Sequence, residues 1–165
     1  QNGDITALEV VYNEYSGKIY SFSLSLCSSK EIAEDVTADI FIMLYRYLSS
    51  GKIINNLKSF LFTAARNKIY DIFKITSRTE ALPDDDIFFC DEPDNCDKID
   101  IEAALEKLPT VEKEIVLLYC YGGLLHKEIA AILNIPEGTV RWKYRNALSK
   151  LKALLGGADK WMITM

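Results

Sequence analysis

The sequence predicts an all-α chain of two small helical domains, an N-terminal three-to-four-helix bundle and a C-terminal helix-turn-helix domain, joined by an acidic linker. Three observations predict it. Apolar residues recur at helical spacing on both sides of the middle of the chain. The formal net charge of −5 is unevenly spread: 76–99 holds eight acids against two bases, whereas 5–75 and 100–156 each hold eight bases against seven acids. The stretch Leu108–Lys152 breaks into three short helical segments with a tight turn between the last two. These features set the bounds at 5–75, 76–99 and 100–156.

In chain order, Thr6-x-x-Glu9 has the pattern of a capping box. Leu8, Val11, Tyr12, Tyr15, Ile19, Phe22 and Leu26 follow on one face of a helix ending near Cys27. Ser28-x-x-Glu31 opens a second helix, with Ile32, Val36, Ile40, Leu44 and Tyr47 on its buried side and Asp35, Asp39 and Arg46 on another row. Ser49–Asn56 is a loop containing Gly51. A third helix is predicted from Leu57 to Phe73, burying Leu57, Leu61, Ala64, Ile69 and Ile72 and leaving Lys58, Arg66, Asn67 and Lys74 polar. The next stretch, 76–99, has two prolines and no periodicity and reads as the linker, with Ile87-Phe88-Phe89 as an apolar interruption.

Pro109 stops whatever precedes it, and Thr110 is placed to cap a helix reaching Tyr121, where Gly122-Gly123 ends it. Lys127–Leu133 is a short helix with Ile129, Ala130, Ile132 and Leu133 apolar. Asn134 tolerates the left-handed conformation of a tight turn, and Pro136 suits the first position of a new helix. That helix runs to Leu155, burying Val140, Tyr144, Ala147, Leu148, Leu151 and Leu154–Leu155. Arg141, Lys143, Arg145 and Asn146 fall away from the stripe. Helix pairs of this kind set the second helix in the DNA major groove, where arginines reach base edges and lysines, hydroxyls and helix N-termini hold phosphates. The alternative reading is a solvated basic face on an ordinary helical bundle.

Other function classes find little support. The N-terminal bundle has no histidine, no glycine-rich phosphate loop and no nucleophile beside a base, so no enzyme site is expected. Cys27, Cys90, Cys96 and Cys120 form no CxxC pair and His126 is the one histidine, so neither a metal site nor a cofactor is expected. His126 itself reads as a surface residue. No run of 18 apolar residues exists. The opening Gln1-Asn2-Gly3-Asp4 lacks a leader's basic and apolar regions, and a reduced, cytoplasmic protein is the expectation.

The C-terminal stretch, LPTVEKEIVLLYCYGGLLHKEIAAILNIPEGTVRWKYRNAL, resembles the C-terminal domain of bacterial sigma factors of the sigma-70 family, closest to the small extracytoplasmic-function (ECF) class. Its LP opening, Glu128-Ile129-Ala130 and Ile135–Val140 (IPEGTV) carry the likeness. Upstream, KEIAEDVTADIFIMLYRYL is similar to the segment that grips the polymerase clamp, and SFLFTAARNKIYDIF to the segment that melts and reads the −10 element. The resemblance implies binding to core RNA polymerase and promoter DNA, control by an anti-sigma factor, and a monomer when free.

By resemblance, Asp35, Asp39, Phe41 and Ile42 fall at polymerase contacts. Lys52, Asn55, Asn56, Lys58, Phe60, Arg66, Asn67 and Asp71 fall in the −10 reader. Glu137, Thr139, Arg141, Trp142, Lys143 and Arg145 fall in the −35 reader. The chain departs from the family pattern at Ala38, where glutamine is usual, at Phe60, where tryptophan is common, and at Leu125-His126-Lys127, which replaces Ser-Tyr-Glu and removes a good N-cap.

Overall fold

The computed structural model describes residues 2–79 and 96–155, and their side chains over 6–75 and 101–155. Helices occupy most of these, with no strand among the described residues. The chain divides into two compact units, Gln1–Cys90 and Asp91–Met165. No helix among the described residues is long and apolar enough to cross a membrane. Most of the linker acids, Ile87–Phe89, Cys90 and the apolar tail Trp161–Met165 lie outside the described residues.

The first unit is a bundle of α1 (Asn2–Cys27), α2 (Lys30–Ser49) and α3 (Leu57–Thr79). Its core is Tyr15, Ile19, Phe22 and Leu26 from α1, Ala33, Val36, Ile40 and Leu44 from α2, and Leu61, Phe62, Ala65 and Ile69 from α3. At its centre Phe22 and Phe62 meet edge to face with centroids 5.3 Å apart. Each such fully buried side chain contributes roughly 1.5–3 kcal/mol relative to exposure, which holds three amphipathic helices together without further cross-links. Residues of the expected rows at the helix ends, such as Leu8 and Ile32, are only half buried.

Local rules set the connections. Ser28 takes a left-handed conformation (φ 54°) to close α1, and its N–H donates to the Leu24 carbonyl at 2.7 Å. The cap of α2 therefore falls one residue later than expected, where Ser29 Oγ accepts from the Ile32 N–H at 3.4 Å. Gly51, at φ 75°, turns the chain out of α2. α3 continues to Thr79 rather than ending at Phe73, because neither glycine nor proline stands anywhere within it.

The second unit contains α4 (Cys96–Glu106), α5 (Thr110–Cys120), α6 (His126–Leu133) and α7 (Glu137–Leu154). The reading of 76–99 as linker and of three C-terminal segments missed α4, whose Ala104 and Leu105 join the core. α5 is its central strut. Ile115, Val116, Leu117 and Leu118 are buried, and so are Glu112, Lys113 and Glu114. Two of these charges find partners on neighbouring helices: Glu112 Oε2 meets Lys150 Nζ of α7 at 2.8 Å, and Lys113 Nζ meets Glu106 Oε1 of α4 at 2.7 Å. A buried charge is tolerable only when paired in this way.

Gly122 is required by space, since a Cβ there would stand 2.5 Å from the Leu118 carbonyl oxygen. Leu154, expected inside, is 44 % exposed, because α7 outruns the helices it packs on.

Candidate nucleic-acid and polymerase interfaces

The turn between α6 and α7 fixes the candidate −35 surface. Asn134 adopts φ 53°, ψ 45°, and the Ile135 N–H reaches back to the Ala130 carbonyl at 3.1 Å, a Schellman closure that asparagine accommodates. Pro136 then stands at the N-cap, one place before the helix rather than at its first position. The start of α6 has lost half of its capping box. Leu125 offers no side-chain acceptor, but the Glu128 carboxylate still takes the Leu125 N–H at 2.7 Å.

α7 buries Val140, Ala147 and Leu151 and turns Arg141, Trp142 and Arg145 to solvent. Arg141 Nη2 donates to Glu137 Oε1 one turn earlier, so that carboxylate holds the guanidinium beside the helix N-terminus. Thr139 and Lys143 are half buried on the flank, and the Lys143 ammonium lies 5.8 Å from the Trp142 ring. Four donor side chains, Thr139, Arg141, Lys143 and Arg145, and one large aromatic thus stand within the first half of one helix.

Behind this surface lies an aromatic cluster. Tyr144 is within 4.7 Å of Tyr119 and 5.2 Å of His126, ring centre to ring centre. His126 is therefore not a freely exposed residue: its Nε2 is buried without a hydrogen-bond partner. Burial pushes the Cys120 thiol up to about 11. Burial, with Cys120 and Tyr119 nearby, pushes the Tyr144 hydroxyl up to about 12. Both stay neutral at ordinary pH, and the rings of Tyr119, His126 and Tyr144 join α5, α6 and α7.

In the first unit, the expected −10 residues fall into two sets. Lys52 of the loop lies 5.1 Å from the Tyr47 ring, and that ring lies 5.0 Å from Phe60. Together they form a run of cation and two rings, suited to unstacked bases. Tyr47 was read as core; it lies at the C-terminal end of α2, where burial is only partial. Phe60, Asn67, Asp71 and Lys74 follow at seven, four and three residues along the outer side of α3, and Asn67, Asp71 and Lys74 are exposed.

The remaining members stand apart. Arg66 turns to the far flank, stacked 4.6 Å over Tyr70. Asn56 acts as the N-cap of α3, its Oδ1 accepting from the Ser59 N–H at 3.0 Å, which restricts its use in a base-capturing loop. Asn55 and Lys58 are exposed. Ile53, the most exposed large apolar residue described at 84 %, sits in the same loop.

On α2, Asp35, Asp39 and Ile42 share an outward row, and Ile42 is 49 % exposed. Phe41 is not on it. It is 7 % exposed and packs edge-on against Tyr12 of α1 at 4.7 Å, so any contact there is made by Tyr12 and Ile42. Asp39 pairs with Lys68 of α3 at 2.8 Å. That hydrogen bond and charge hold the Lys68 ammonium above its ordinary range, with Asp71 and Asp35 adding to the effect. Sequence reading missed Lys68, because nothing in its spacing shows that Asp39 of another helix stands opposite it.

Two helical units, the second a helix-turn-helix with a cationic outward helix, define a DNA-binding protein. Comparison with known proteins places it further. The family described as Sigma-70 region 2 matches residues 11–79, and Sigma-70, region 4 matches residues 98–151. The chain is 27 % identical over 154 residues to the ECF RNA polymerase sigma factor SigM of Bacillus subtilis, covering 89 % of this chain and 94 % of that protein. It is 26 % identical over 161 residues to the ECF sigma factor RpoE of Cereibacter sphaeroides, covering 90 % and 86 %.

Among solved structures, RpoE of Bartonella quintana in complex with the anti-sigma factor NepR matches with a TM-score of 0.73 at 24 % identity, covering 90 % of this chain and 96 % of that one. CnrH in complex with the cytosolic domain of CnrY matches with a TM-score of 0.68 at 21 % identity, covering 96 % and 93 %. The chain belongs to the sigma-70 family of RNA polymerase sigma factors, in its ECF class.

Proposed function

We propose that this protein docks on core RNA polymerase through the outward face of α2 and directs the enzyme to promoters. The second unit reads the −35 element with α7, and the first unit opens and reads the −10 element with α3 and the loop before it. The observation that carries this reading is the division of α7: Val140, Ala147 and Leu151 hold the helix while Arg141, Trp142 and Arg145 face outward within its first half. That is the arrangement a major-groove helix needs.

Thr139 and Lys143 serve phosphates around those three, and Glu137 orients Arg141 through their ion pair. Lys52, Tyr47 and Phe60 form the platform on which a displaced base stacks, and Asn67, Asp71 and Lys74 line the strand's path. The protein acts in the cytoplasm, as a monomer when free, and catalyses no reaction itself. An anti-sigma factor, as in the complex of Bartonella quintana RpoE with NepR, is the proposed regulator.

The test is co-purification with core enzyme followed by selection of duplexes from a random pool, with and without that enzyme. The expected result is a stable complex that enriches a two-part sequence. Enrichment by the chain alone, with no affinity for core enzyme, would instead make it a stand-alone helix-turn-helix regulator.

A further inference from the structure

The promoter-recognition reading leaves the base chemistry of α7 unassigned, and two of its residues have no internal explanation. The first is Trp142, 55 % exposed. Its ring lies 5.8 Å from the Lys143 ammonium, and it is not among the core residues of the unit. An exposed indole sets a large apolar area against water, an arrangement that marks a contact surface.

The second is Gly138, one helical turn earlier. A Cβ there would meet nothing within 4 Å, and Gly138 is not among the glycines with positive φ. Neither space inside the unit nor a positive φ calls for glycine at this place in the first turn of α7.

Helical geometry puts the two on one line. Val140, Ala147 and Leu151 mark the inward direction of α7. At 100° per residue, Gly138, Trp142, Arg145 and Ser149 fall on the opposite side, the centre of the face a DNA groove meets. Arg141 lies to one edge, tied to Glu137. The deepest point of the face is therefore an indole with an open place before it and a guanidinium after it.

We propose that Trp142 is a specificity-determining residue that reads the C5-methyl group of a thymine in the −35 element. Gly138 supplies the clearance that lets so bulky a side chain reach the floor of the groove. The proposal rests on the promoter-recognition reading and adds to it the base that is recognised. In the major groove thymine alone offers an apolar group, whereas guanine, cytosine and adenine present acceptors and donors that an indole ring would strip of water. Arg145 stands three residues on, about 4.5 Å along the helix axis, against about 3.4 Å per base pair of DNA. Its bidentate match is guanine, so the element contains a thymine with a guanine one or two base pairs away.

The experiment uses the full chain with core RNA polymerase to select duplexes from a random pool. Each thymine of the enriched −35 half is then replaced singly by uracil, which removes the methyl group and nothing else. One replacement should weaken binding about fourfold, the weight of one methyl group taken out of water. In Trp142→Ala the same duplex pair should bind equally, and Trp142→Phe should keep part of the difference. In Arg145→Ala the thymine–uracil difference should survive while the guanine preference is lost.

Circular dichroism of each variant should match the parent, since neither side chain is buried. Enriched sequences lacking thymine, no thymine sensitive to replacement, or a methyl effect that persists in Trp142→Ala overturn the contact while leaving promoter recognition standing. A pool with no enriched sequence overturns the promoter reading itself.

Discussion

Removing the two partners of the Glu112–Lys150 pair should have unequal effects. The Glu112 side chain is 6 % exposed and that of Lys150 46 % exposed, at 2.8 Å separation. Lys150→Met leaves a carboxylate almost wholly inside the unit without its counter-ion, in the class of changes that cost about 3–5 kcal/mol. Water at the open side of the pair should bring this to the lower end, about 3 kcal/mol. Glu112→Gln frees a lysine that can swing into water, and the amide keeps the shape of the site. Its cost should be about 1 kcal/mol, a typical hydrogen bond. Both tryptophans, Trp142 and Trp161, follow residue 100 in the sequence, so indole fluorescence during urea unfolding reports the second unit through Trp142 of α7.

With a slope near 1 kcal/mol/M for a unit of this size, the midpoint should fall by about 3 M for Lys150→Met and about 1 M for Glu112→Gln. Lys150→Arg should recover most of the loss. Equal midpoints for the two single variants would refute the claim that burial of Glu112, rather than the pair as such, sets the cost.

Three further outcomes are expected. Arg141→Ala should weaken binding of the polymerase complex to the −35 element by about 1–3 kcal/mol and relax preference at one base pair; unchanged selectivity in a footprinting titration would remove Arg141 from the reader. Asp35→Lys with Ile42→Ala should abolish co-purification with core enzyme and leave the helical signal intact, whereas Phe41→Ala should lower the stability of the first unit by about 3 kcal/mol or more; a folded double variant that still co-purifies excludes the α2 face. Cys120 and Tyr144 give an alkaline limit: their raised folded-state values mean the unfolded chain releases protons first, so their stabilisation is complete below pH 9 and declines as pH rises. Stability should fall across pH 9 to 11 for Cys120 and 10 to 12 for Tyr144. A Cys120→Ala variant that loses stability just as steeply between pH 9 and 11 would contradict the first of these.

Much of the fold was legible because helix signals are local. The turn at Asn134, the break at Gly122-Gly123 and the rows through Ile19, Val36 and Val140 each depend on a few neighbouring residues; the turn and the break stand where the pattern placed them, and the centres of the rows are buried, while Tyr12 and Leu154 of the same rows are exposed. Boundaries moved where two signals competed. Ser28 and Ser29 both suit a cap, and the choice fell to Ser29 because Ser28 closes the preceding helix. α4 escaped notice because its first residues share the acidity of the linker and its short apolar run, Ala103-Ala104-Leu105, lacks a full period.

The candidate site was less legible, since side-chain partners are not periodic. Nothing in the spacing of Phe41 separates it from Ile42 as an outward residue; the Tyr12 ring of another helix covers one and leaves the other bare. Asp39 gains Lys68, Asn56 gains a capping role and His126 gains two tyrosine rings in the same way. Each depends on a contact between elements that sequence order does not reveal.

Run-off transcription with purified core RNA polymerase, on templates carrying the selected two-part sequence, tests the central claim most directly. The account predicts transcripts from one defined start when the chain is added, none from core enzyme alone, and loss of those transcripts in the Asp35→Lys, Ile42→Ala variant. Duplex binding by the chain with no transcript under any of these conditions would contradict it.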